Sequence, residues 1–266
     1  MNLVALTPCC VDYYPQIGKS FLGGNSLNVA SMWKTLEPRE NISIITCLGT
    51  DLHAKMILDF LNKKGIDISR VYQRDGITAC NSLRVDDTGE RFGIEGAWNG
   101  GVYETFILSE SDWESVSKQD IVAIPANNPN FNEMIKKRNQ RQMVSVDYLD
   151  VENNVPLLDT VEFTDIAFIA ANPDLLPKYS ELAFTRKKLI VVTLGAKGSY
   201  AFYKGESYFQ PALKVDTIVD TTGCGDAYQA AFALTFYKTK DIQKSMYAGA
   251  KAASVILQAW GGIGGQ

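Results

Sequence analysis

Short apolar runs rich in β-branched residues alternate with longer amphipathic stretches along most of this 266-residue chain. Each run has the length of a strand and ends near a glycine, a proline or a polar residue. Runs that are apolar on both faces are typical of parallel strands covered by helices on both sides of a sheet. The predicted strands cover residues 3–6, 42–49, 120–125, 143–149, 166–171 and 189–195. The sequence therefore predicts an α/β fold, with a mostly parallel central sheet flanked by helices on both faces.

The stretches between these runs carry the periodicity of amphipathic helices. Helices are predicted within residues 25–36, 54–65 and 130–141, and Gly65 is a predicted helix stop because two lysines precede it. No internal repeat or low-complexity segment divides the chain, so we predict a single domain over residues 1–266. The opening MNLVALTPCC lacks a charged leader and holds only a short apolar run, which predicts a buried first strand.

Charge and composition exclude several classes of partner. Lys and Arg number 26 against 30 Asp and Glu, a formal net charge of −4, and no basic run marks a nucleic-acid surface. No apolar run reaches the length of a membrane span. The five cysteines include no Cys-x-x-Cys pair, which is typical of reduced thiols in an intracellular protein. We therefore expect a cytoplasmic protein with neither a nucleic-acid nor a membrane partner.

One segment departs from the alternation of strands and helices. Residues 80–101 hold two short alternating patterns around Asp86–Gly89, a turn sequence typical of a β-hairpin. A hairpin inserted into an α/β chain can cover the strand ends. We therefore predict a small inserted β lid, formed by segments near 10–22 and 78–105.

The stretch VDTTGCGDAY, residues 219–228, predicts an anion-binding turn at the start of a helix. Gly223 and Gly225 let the backbone bend with its N–H groups exposed, and Asp220–Thr222 can cap the helix. Asp226 then falls in the first helical turn. The local sequence leaves two interpretations of Asp226 open: a favourable interaction with the helix dipole, or a general base beside the bound anion.

These residues carry a family resemblance. Asp220–Asp226 resembles the C-terminal signature of the ribokinase-like (PfkB) carbohydrate kinases, with Cys224 where that signature usually has alanine. GGNSLNVA, residues 23–30, resembles the first signature of the family, and VTLGAKGS, residues 192–199, is similar to its Thr-x-Gly-x-x-Gly nucleotide loop. The order and spacing of the three motifs fit one kinase over nearly the whole chain.

The resemblance implies roles for individual residues. Asp226 would take the proton of the acceptor hydroxyl while N–H groups of Gly223, Cys224 and Gly225 stabilise the transferring phosphoryl group. The residues expected at the sugar are Asp12, Gly23, Gly24, Asn25, Asn28 and Arg91. The residues expected at the nucleotide are Thr193, Gly195, Gly198 and Asn172. No side chain is predicted to ligate a metal directly.

Each of these assignments has a structural alternative. Asn25 or Ser26 could cap a helix, and Asp12 could be a solvated loop acid. Arg91 could close over substrate or phosphate, or form an ion pair with an acid of the lid. Residues 193–198 could be a plain turn between two strands, since a predicted hairpin follows them.

The cofactors implied by the resemblance are ATP and Mg²⁺, with magnesium held through water. The resemblance leaves open a monovalent cation and a homodimer formed through the lid. The chain departs from the family pattern at Asn172–Leu175, where Leu175 stands in place of the glutamate of the family's Asn-x-x-Glu. This departure concerns the handling of magnesium more than the class of reaction.

CVDYYPQ, residues 10–16, resembles the opening of a subgroup, the fructoselysine 6-kinase-like enzymes. It predicts phosphorylation of fructoselysine or a related fructosyl-amine at the 6-position, in a pocket with an acidic or aromatic wall beyond the sugar. One alternative is a fructokinase or ribokinase-like sugar kinase. Another, which Leu175 supports, is a catalytically weak nucleotide- or sugar-binding protein of the same fold.

Overall fold

Two β-sheets organise the protein in a computed structural model that describes residues 1–150 and 157–264. The predicted domain of residues 1–266 therefore includes 151–156 and 265–266, which lie outside the described residues. In chain order the strands are β1 (Asn2–Leu6), β2 (Cys10–Tyr14), β3 (Lys19–Gly23), β4 (Asn41–Leu48), β5 (Val71–Gln73), β6 (Cys80–Val85), β7 (Arg91–Gly93), β8 (Ile121–Pro125), β9 (Met143–Asp150), β10 (Ile166–Ala170), β11 (Leu189–Thr193), β12 (Ser199–Tyr203) and β13 (Glu206–Gln210).

Helices connect most of the strands. They are α1 (Asn25–Leu36), α2 (Leu52–Lys64), α3 (Glu110–Val116), α4 (Phe131–Lys137), α5 (Leu157–Thr160), α6 (Leu176–Arg186), α7 (Cys224–Thr239) and α8 (Ile242–Ile256). Short 3₁₀ helices cover residues 101–105, 161–163, 173–175 and 195–197. Among the described residues, no helix combines the length and the apolar character that crossing a membrane requires.

The larger sheet, here the core sheet, has nine strands in the order β13-β12-β11-β10-β9-β8-β1-β4-β5. The six strands predicted from the sequence lie side by side in the order β11-β10-β9-β8-β1-β4, and all neighbouring pairs among them are parallel. The hairpin β12-β13 adds antiparallel strands at one edge. The prediction of a mostly parallel central sheet is therefore confirmed.

Helices cover both faces of the core sheet because successive side chains of a strand point to opposite sides. Leu3 and Ala5 belong to one hydrophobic cluster, which includes residues of α1, α2, α7 and α8. Val4 and Leu6 belong to the other, which includes residues of α3, α4, α5 and α6. Both clusters are closed to solvent, and the predicted fold class is confirmed.

The ends of α2 follow from its sequence. The Asp51 carboxylate accepts a hydrogen bond of 2.9 Å from the Ala54 N–H and so caps the first turn. At the other end Gly65 takes a left-handed φ of 70°, a conformation that glycine adopts without steric cost. Gly65 therefore ends the helix, as predicted.

The smaller sheet, named the lid sheet after the predicted role of its segments, has four strands in the order β3-β2-β6-β7. β6 and β7 are antiparallel, so the hairpin predicted around Asp86–Gly89 is confirmed. β2 lies parallel to β6 and antiparallel to β3, which joins the segment near 10–22 to the hairpin. Tyr13 and Phe92 are exposed on this sheet. A homodimer formed through the lid stays a prediction.

Candidate active site

A cavity of about 1270 Å³ lies between the lid sheet and the carboxyl ends of the core strands. Open α/β sheets bind ligands at these strand ends. Its walls include Asp12 and Arg91 from the lid sheet, and Asp147 and Thr193 from the ends of β9 and β11. The predicted site residues that line it are Asp12, Gly24, Asn25, Asn28, Arg91, Thr193, Gly195, Gly198, Gly223, Cys224, Gly225 and Asp226.

Asp226 lies in the first turn of α7, and two amides from α1 hold its carboxylate. Asn25 Nδ2 donates to Oδ1 and Asn28 Nδ2 donates to Oδ2, both at 2.6 Å. Asn25 and Asn28 lie one turn apart on α1, so their side chains reach the same partner. Both oxygens of the carboxylate are therefore fixed in position.

Burial raises the pKa of Asp226 to about 6, against the opposing hydrogen bonds of Asn28 and Asn25 and the positive charge of Arg91. A carboxyl group with this pKa is mostly ionised at neutral pH and is a stronger base than an ordinary aspartate. This is the property that a general base requires at neutral pH.

The amide oxygens of Asn25 and Asn28 are buried and have no hydrogen-bond partner within the described residues. Buried acceptors without a partner are rare in folded proteins because the lost hydration is costly. The amide nitrogens bind Asp226, and these two oxygens are enclosed by the surrounding protein.

Asp147, at the end of β9, belongs to the same group of side chains, although the sequence analysis did not assign it to the site. Its Oδ1 accepts from the Leu149 N–H at 2.8 Å, and its Oδ2 lies 3.3 Å from the donating Asn25 Nδ2. Burial, followed by the negative charge of Asp226, raises its pKa to about 7. The position of this aspartate at the end of a predicted parallel strand is the sequence feature that indicates its place in the site.

The loop Asp220–Asp226, here the anion loop, turns into α7 at Gly223. The φ of Gly223 is 78°, and a Cβ there would lie 2.3 Å from the carbonyl oxygen of Gly262. No side chain caps α7, so the prediction that Asp220–Thr222 cap the helix is wrong. The N–H groups of Gly225 and Asp226 lie in the first turn, where they have no intrahelical partner and favour an anion.

Asp220 instead ties the anion loop to two other segments. Its buried carboxylate accepts from the Tyr14 hydroxyl at 2.8 Å, from the Gly261 N–H at 2.9 Å and from the Thr222 N–H at 2.9 Å. The rings of Tyr14 and Trp260 meet edge to face with centroids 5.4 Å apart. The lid strand β2, the anion loop and the turn after α8 therefore share one set of contacts.

Cys224 begins α7 and is half-buried. Its thiol lies 3.7 Å from the Ala253 carbonyl oxygen, and burial raises its pKa to about 12. The thiol is therefore neutral near physiological pH. The Cys224 N–H donates to the Thr221 carbonyl at 3.2 Å, which leaves the N–H groups nearer to Asp226 for an anion.

Glycine is required at two positions between β3 and α1 by close contacts. A Cβ on Gly23 would lie 2.0 Å from Oδ2 of Asp12. Gly24 has a φ of 95°, and a Cβ there would lie 2.7 Å from the carbonyl oxygen of Pro8. Gly24 is the N-cap residue of α1, so the alternative that Asn25 or Ser26 caps this helix is wrong.

Asp12 lies on β2 and is 5% exposed, so it is not a solvated loop acid. Its Oδ1 is 3.5 Å from the thiol of Cys10. Burial raises its pKa to about 6, and the charge of Arg91 opposes that rise. Its carboxylate lines the cavity beside the backbone of Gly23.

The tip of the hairpin contacts the anion loop directly. The Thr221 N–H donates to the Gly89 carbonyl, and the Arg91 N–H donates to the Thr221 hydroxyl, each at 3.0 Å. Among residues 1–150 and 157–264, Arg91 forms no ion pair. Its positive charge lowers the pKa values of Asp12 and Asp226.

The nucleotide loop, Thr193–Gly198, connects β11 to the antiparallel strand β12, so it is a turn between strands that also lines the cavity. Gly198 has a φ of 95°, and a Cβ there would lie 2.3 Å from the carbonyl oxygen of Gln210. The cavity is also lined by apolar residues that no sequence motif predicts, which are Phe168, Leu213, Ile218, Ala250, Ala253 and Leu257.

Gly23 and Asn172 are not among the described residues that line the cavity. Asn172 is exposed and precedes the 3₁₀ helix of residues 173–175. Leu175 packs against the hydrophobic cluster under α6, and Asp174 is exposed. Within the described residues, no cluster of three or more His, Cys, Asp or Glu side chains could hold a metal ion.

Several known proteins are similar to this chain in sequence or in fold. The chain is 29% identical over 263 residues to fructoselysine 6-kinase of Shigella flexneri, covering 97% of each chain. It is 26% identical to fructosamine kinase FrlD of Bacillus subtilis, covering 99% of this chain and 93% of that one. The fold is similar to that of Arabidopsis thaliana ribokinase, solved in complex with ribose and ATP, with a TM-score of 0.83 at 23% identity, covering 98% and 94% of the two chains.

The family model described as pfkB family carbohydrate kinase matches residues 10–265. The match includes the lid strand that carries Asp12, the helix that carries Asn25 and Asn28, and the loop that carries Asp226. Since it extends over nearly the whole chain and all sides of the cavity, the protein belongs to the pfkB family of carbohydrate kinases.

Proposed function

We propose that the protein transfers the γ-phosphoryl group of ATP to a sugar hydroxyl, with Asp226 as the general base. The observation that carries this proposal is the position of the Asp226 carboxylate, which two amides hold beside the N–H groups of the anion loop. A carboxylate there would repel a bound phosphate unless it accepted a proton from the attacking hydroxyl. Asp226 takes that proton as the hydroxyl oxygen bonds to the γ-phosphorus, while the bond from that phosphorus to the β–γ bridging oxygen breaks and ADP leaves.

The N–H groups of Gly223 and Gly225 are proposed to stabilise the negative charge that develops on the transferring phosphoryl group. The positive end of α7 adds to this stabilisation. Neither contribution needs a lysine or an arginine. Arg91, on β7 of the lid sheet, supplies an additional positive charge beside the anion loop.

Magnesium is proposed to enter with ATP, coordinated by phosphate oxygens and water. Leu175, which packs against the hydrophobic cluster under α6, supplies no carboxylate to the ion at the position where the family pattern has a glutamate. Bound in this way, the ion neutralises phosphate charge. Asn172 remains the proposed partner of a coordinated water, and a monovalent cation stays a prediction.

The lid sheet is proposed to exclude water from the acceptor hydroxyl. Water competes with the sugar for the phosphoryl group, and a closed cavity suppresses that side reaction. The hydrogen bonds between Thr221 and the hairpin residues Gly89 and Arg91 support this role, because they join the tip of the lid to the anion loop.

The proposed acceptor is fructoselysine or a related fructosyl-amine, phosphorylated at the 6-position. Relatives named fructoselysine 6-kinase and fructosamine kinase, each aligned over most of this chain, support it.

We expect glycated amino acids to give the highest kcat/KM in a coupled assay of ADP release over a panel of acceptors. The panel contains fructose, ribose, fructosyl-glycine and fructosyl-lysine, each with ATP and magnesium. A much higher kcat/KM for fructose or ribose would contradict the proposed substrate and favour a fructokinase or ribokinase. If no acceptor released ADP, the protein would instead be a binding protein of this fold.

The pKa of Asp226 predicts the pH dependence of the reaction. A general base works in its deprotonated form, so kcat/KM is expected to fall below about pH 6, by about tenfold for each pH unit, and to level off above it. The profile should be measured with saturating ATP, with each sample returned to pH 7.5 to check that the loss is reversible. A rate that stayed flat from pH 5 to about 7 would contradict this role.

A further inference from the structure

We propose that Trp98 and Glu104 form a subsite of the cavity for a primary ammonium group on the acceptor. This inference rests on the proposed activity toward fructosyl-amines and defines which members of that class bind best. The preferred acceptor is a fructosyl-amine that carries a second, positively charged amine at about the length of a lysine side chain from the sugar.

The two side chains are fixed against each other at the wall of the cavity. The indole Nε1–H of Trp98 donates to Oε1 of Glu104 at 3.2 Å, and both residues line the cavity. Trp98 is 44% exposed, so part of its surface is free for a ligand. Gly100 makes room for the carboxylate, since a Cβ there would lie 2.2 Å from Cγ of Glu104.

Glu104 has no cationic partner within the described residues, whereas several other acids of the chain do. Glu110 pairs with Lys137 at 2.9 Å, and Glu114 pairs with Lys118 at 2.7 Å. The Glu104 carboxylate instead faces a ligand cavity while holding only the Trp98 N–H. A cation that entered the cavity would meet both an unpaired carboxylate and an indole face, the two groups that attract an ammonium ion most strongly.

The lid sheet sets the distance between this pair and the predicted sugar position. Asp12 on β2 lies opposite Asn81 on β6, and the neighbouring Cys80 pairs in turn with Asn99, next to Trp98. Two strand spacings, about 9–10 Å, therefore separate the backbone at Asp12 from the backbone at Trp98. The four methylene groups of a lysine side chain cover much of this separation.

The charge of the subsite also selects against other occupants. Nucleotide phosphates would be repelled by Glu104, so this wall does not suit the polyphosphate of ATP. A neutral sugar would gain nothing from the carboxylate beyond an exposed hydrogen bond. Lysine can carry the fructosyl group on its α or its ε nitrogen. Either isomer keeps one other primary ammonium group, so both are candidate acceptors.

The test measures, for the unaltered protein and for each variant, the ratio of kcat/KM for each fructosyl-lysine isomer to kcat/KM for fructose. Glu104→Gln is expected to lower this ratio about tenfold for the isomer that reaches the subsite, because it removes the charge but keeps the shape. Trp98→Phe should lower it less than Trp98→Leu, since phenylalanine keeps an aromatic face. Glu95→Gln is the matched control, because Glu95 is an exposed acid of the same lid segment that does not line the cavity.

A second measurement uses the unaltered protein and does not depend on how the variants fold. Added NaCl should raise KM for fructosyl-lysine more than KM for fructose, because salt screens the ammonium–carboxylate attraction. Any of three results would overturn the subsite. They are an unchanged ratio in Glu104→Gln, an equal fall of the ratio in Glu95→Gln, and a kcat/KM for fructosyl-lysine no higher than that for fructosyl-glycine. Absence of activity with every acceptor would instead overturn the proposed function.

Discussion

Asp226→Asn is expected to lower kcat by about 10²–10⁴-fold, the usual cost of losing a general base. The substitution keeps the size and shape of the side chain and removes its ability to accept a proton. The affinity for ATP should change little, because backbone N–H groups hold the phosphates. The measurement is kcat with saturating ATP and acceptor, together with the Kd for ATP from calorimetry.

The same variant distinguishes the two interpretations of Asp226 that the sequence left open. If the carboxylate only complemented the helix dipole, its loss would cost about 0.3–1 kcal/mol of stability and leave turnover nearly intact. The amide oxygens of Asn25 and Asn28 have no partner, so rotation of these amides can accept the new side-chain amide and preserve folding. Near-normal kcat with a lowered melting temperature would refute the general-base role.

Gly223→Ala is expected to lower kcat by about 10²-fold and also to lower the melting temperature. The φ of Gly223 is 78°, where an alanine costs about 1–2 kcal/mol. The added Cβ would also lie 2.3 Å from the Gly262 carbonyl oxygen, so the loop must move. A displacement of about 1 Å in groups that position a reacting phosphate can cost about 10²-fold in rate.

Gly225→Ala is the matched control for stability. Gly225 lies in α7, and a Cβ there meets no atom within 4 Å. The melting temperature of Gly225→Ala should therefore stay close to that of the unaltered protein. Each 1 kcal/mol of stability lost in Gly223→Ala should lower the melting temperature by about 2–4 °C. Equal melting temperatures for the two variants, with normal kcat in Gly223→Ala, would show that the left-handed turn at Gly223 is not needed.

Local sequence was sufficient where a structural preference depends on neighbours along the chain. A strand is predicted within residues 189–195 because a buried parallel strand must be apolar on both faces, and the structure has it at Leu189–Thr193. Gly65 was predicted to end α2 because glycine takes a positive φ without cost. Asp86–Gly89 was predicted to turn because those residues favour tight turns. Each of these predictions is confirmed by the structure.

Local sequence was insufficient for side chains whose partners lie far along the chain. Asp220 has the residue type and position of a helix cap, yet its carboxylate binds Tyr14 and Gly261, which lie 206 and 41 residues away. Asp147 gains its place in the site from Asn25, which lies 122 residues away. Neither partner could be identified from the residues next to these aspartates.

The sequence by itself determined the six parallel core strands, the hairpin around Asp86–Gly89 and the three motifs that identify the family, because these depend on periodicity, turn chemistry and short spacings. Only the tertiary structure decided that Asn25 and Asn28 hold the carboxylate of Asp226, and that Trp98 and Glu104 share one wall of the cavity. The physical reason is that hydrogen bonds and charge interactions act over a few ångströms in space. The folding of two sheets around one cavity sets which side chains come within that range.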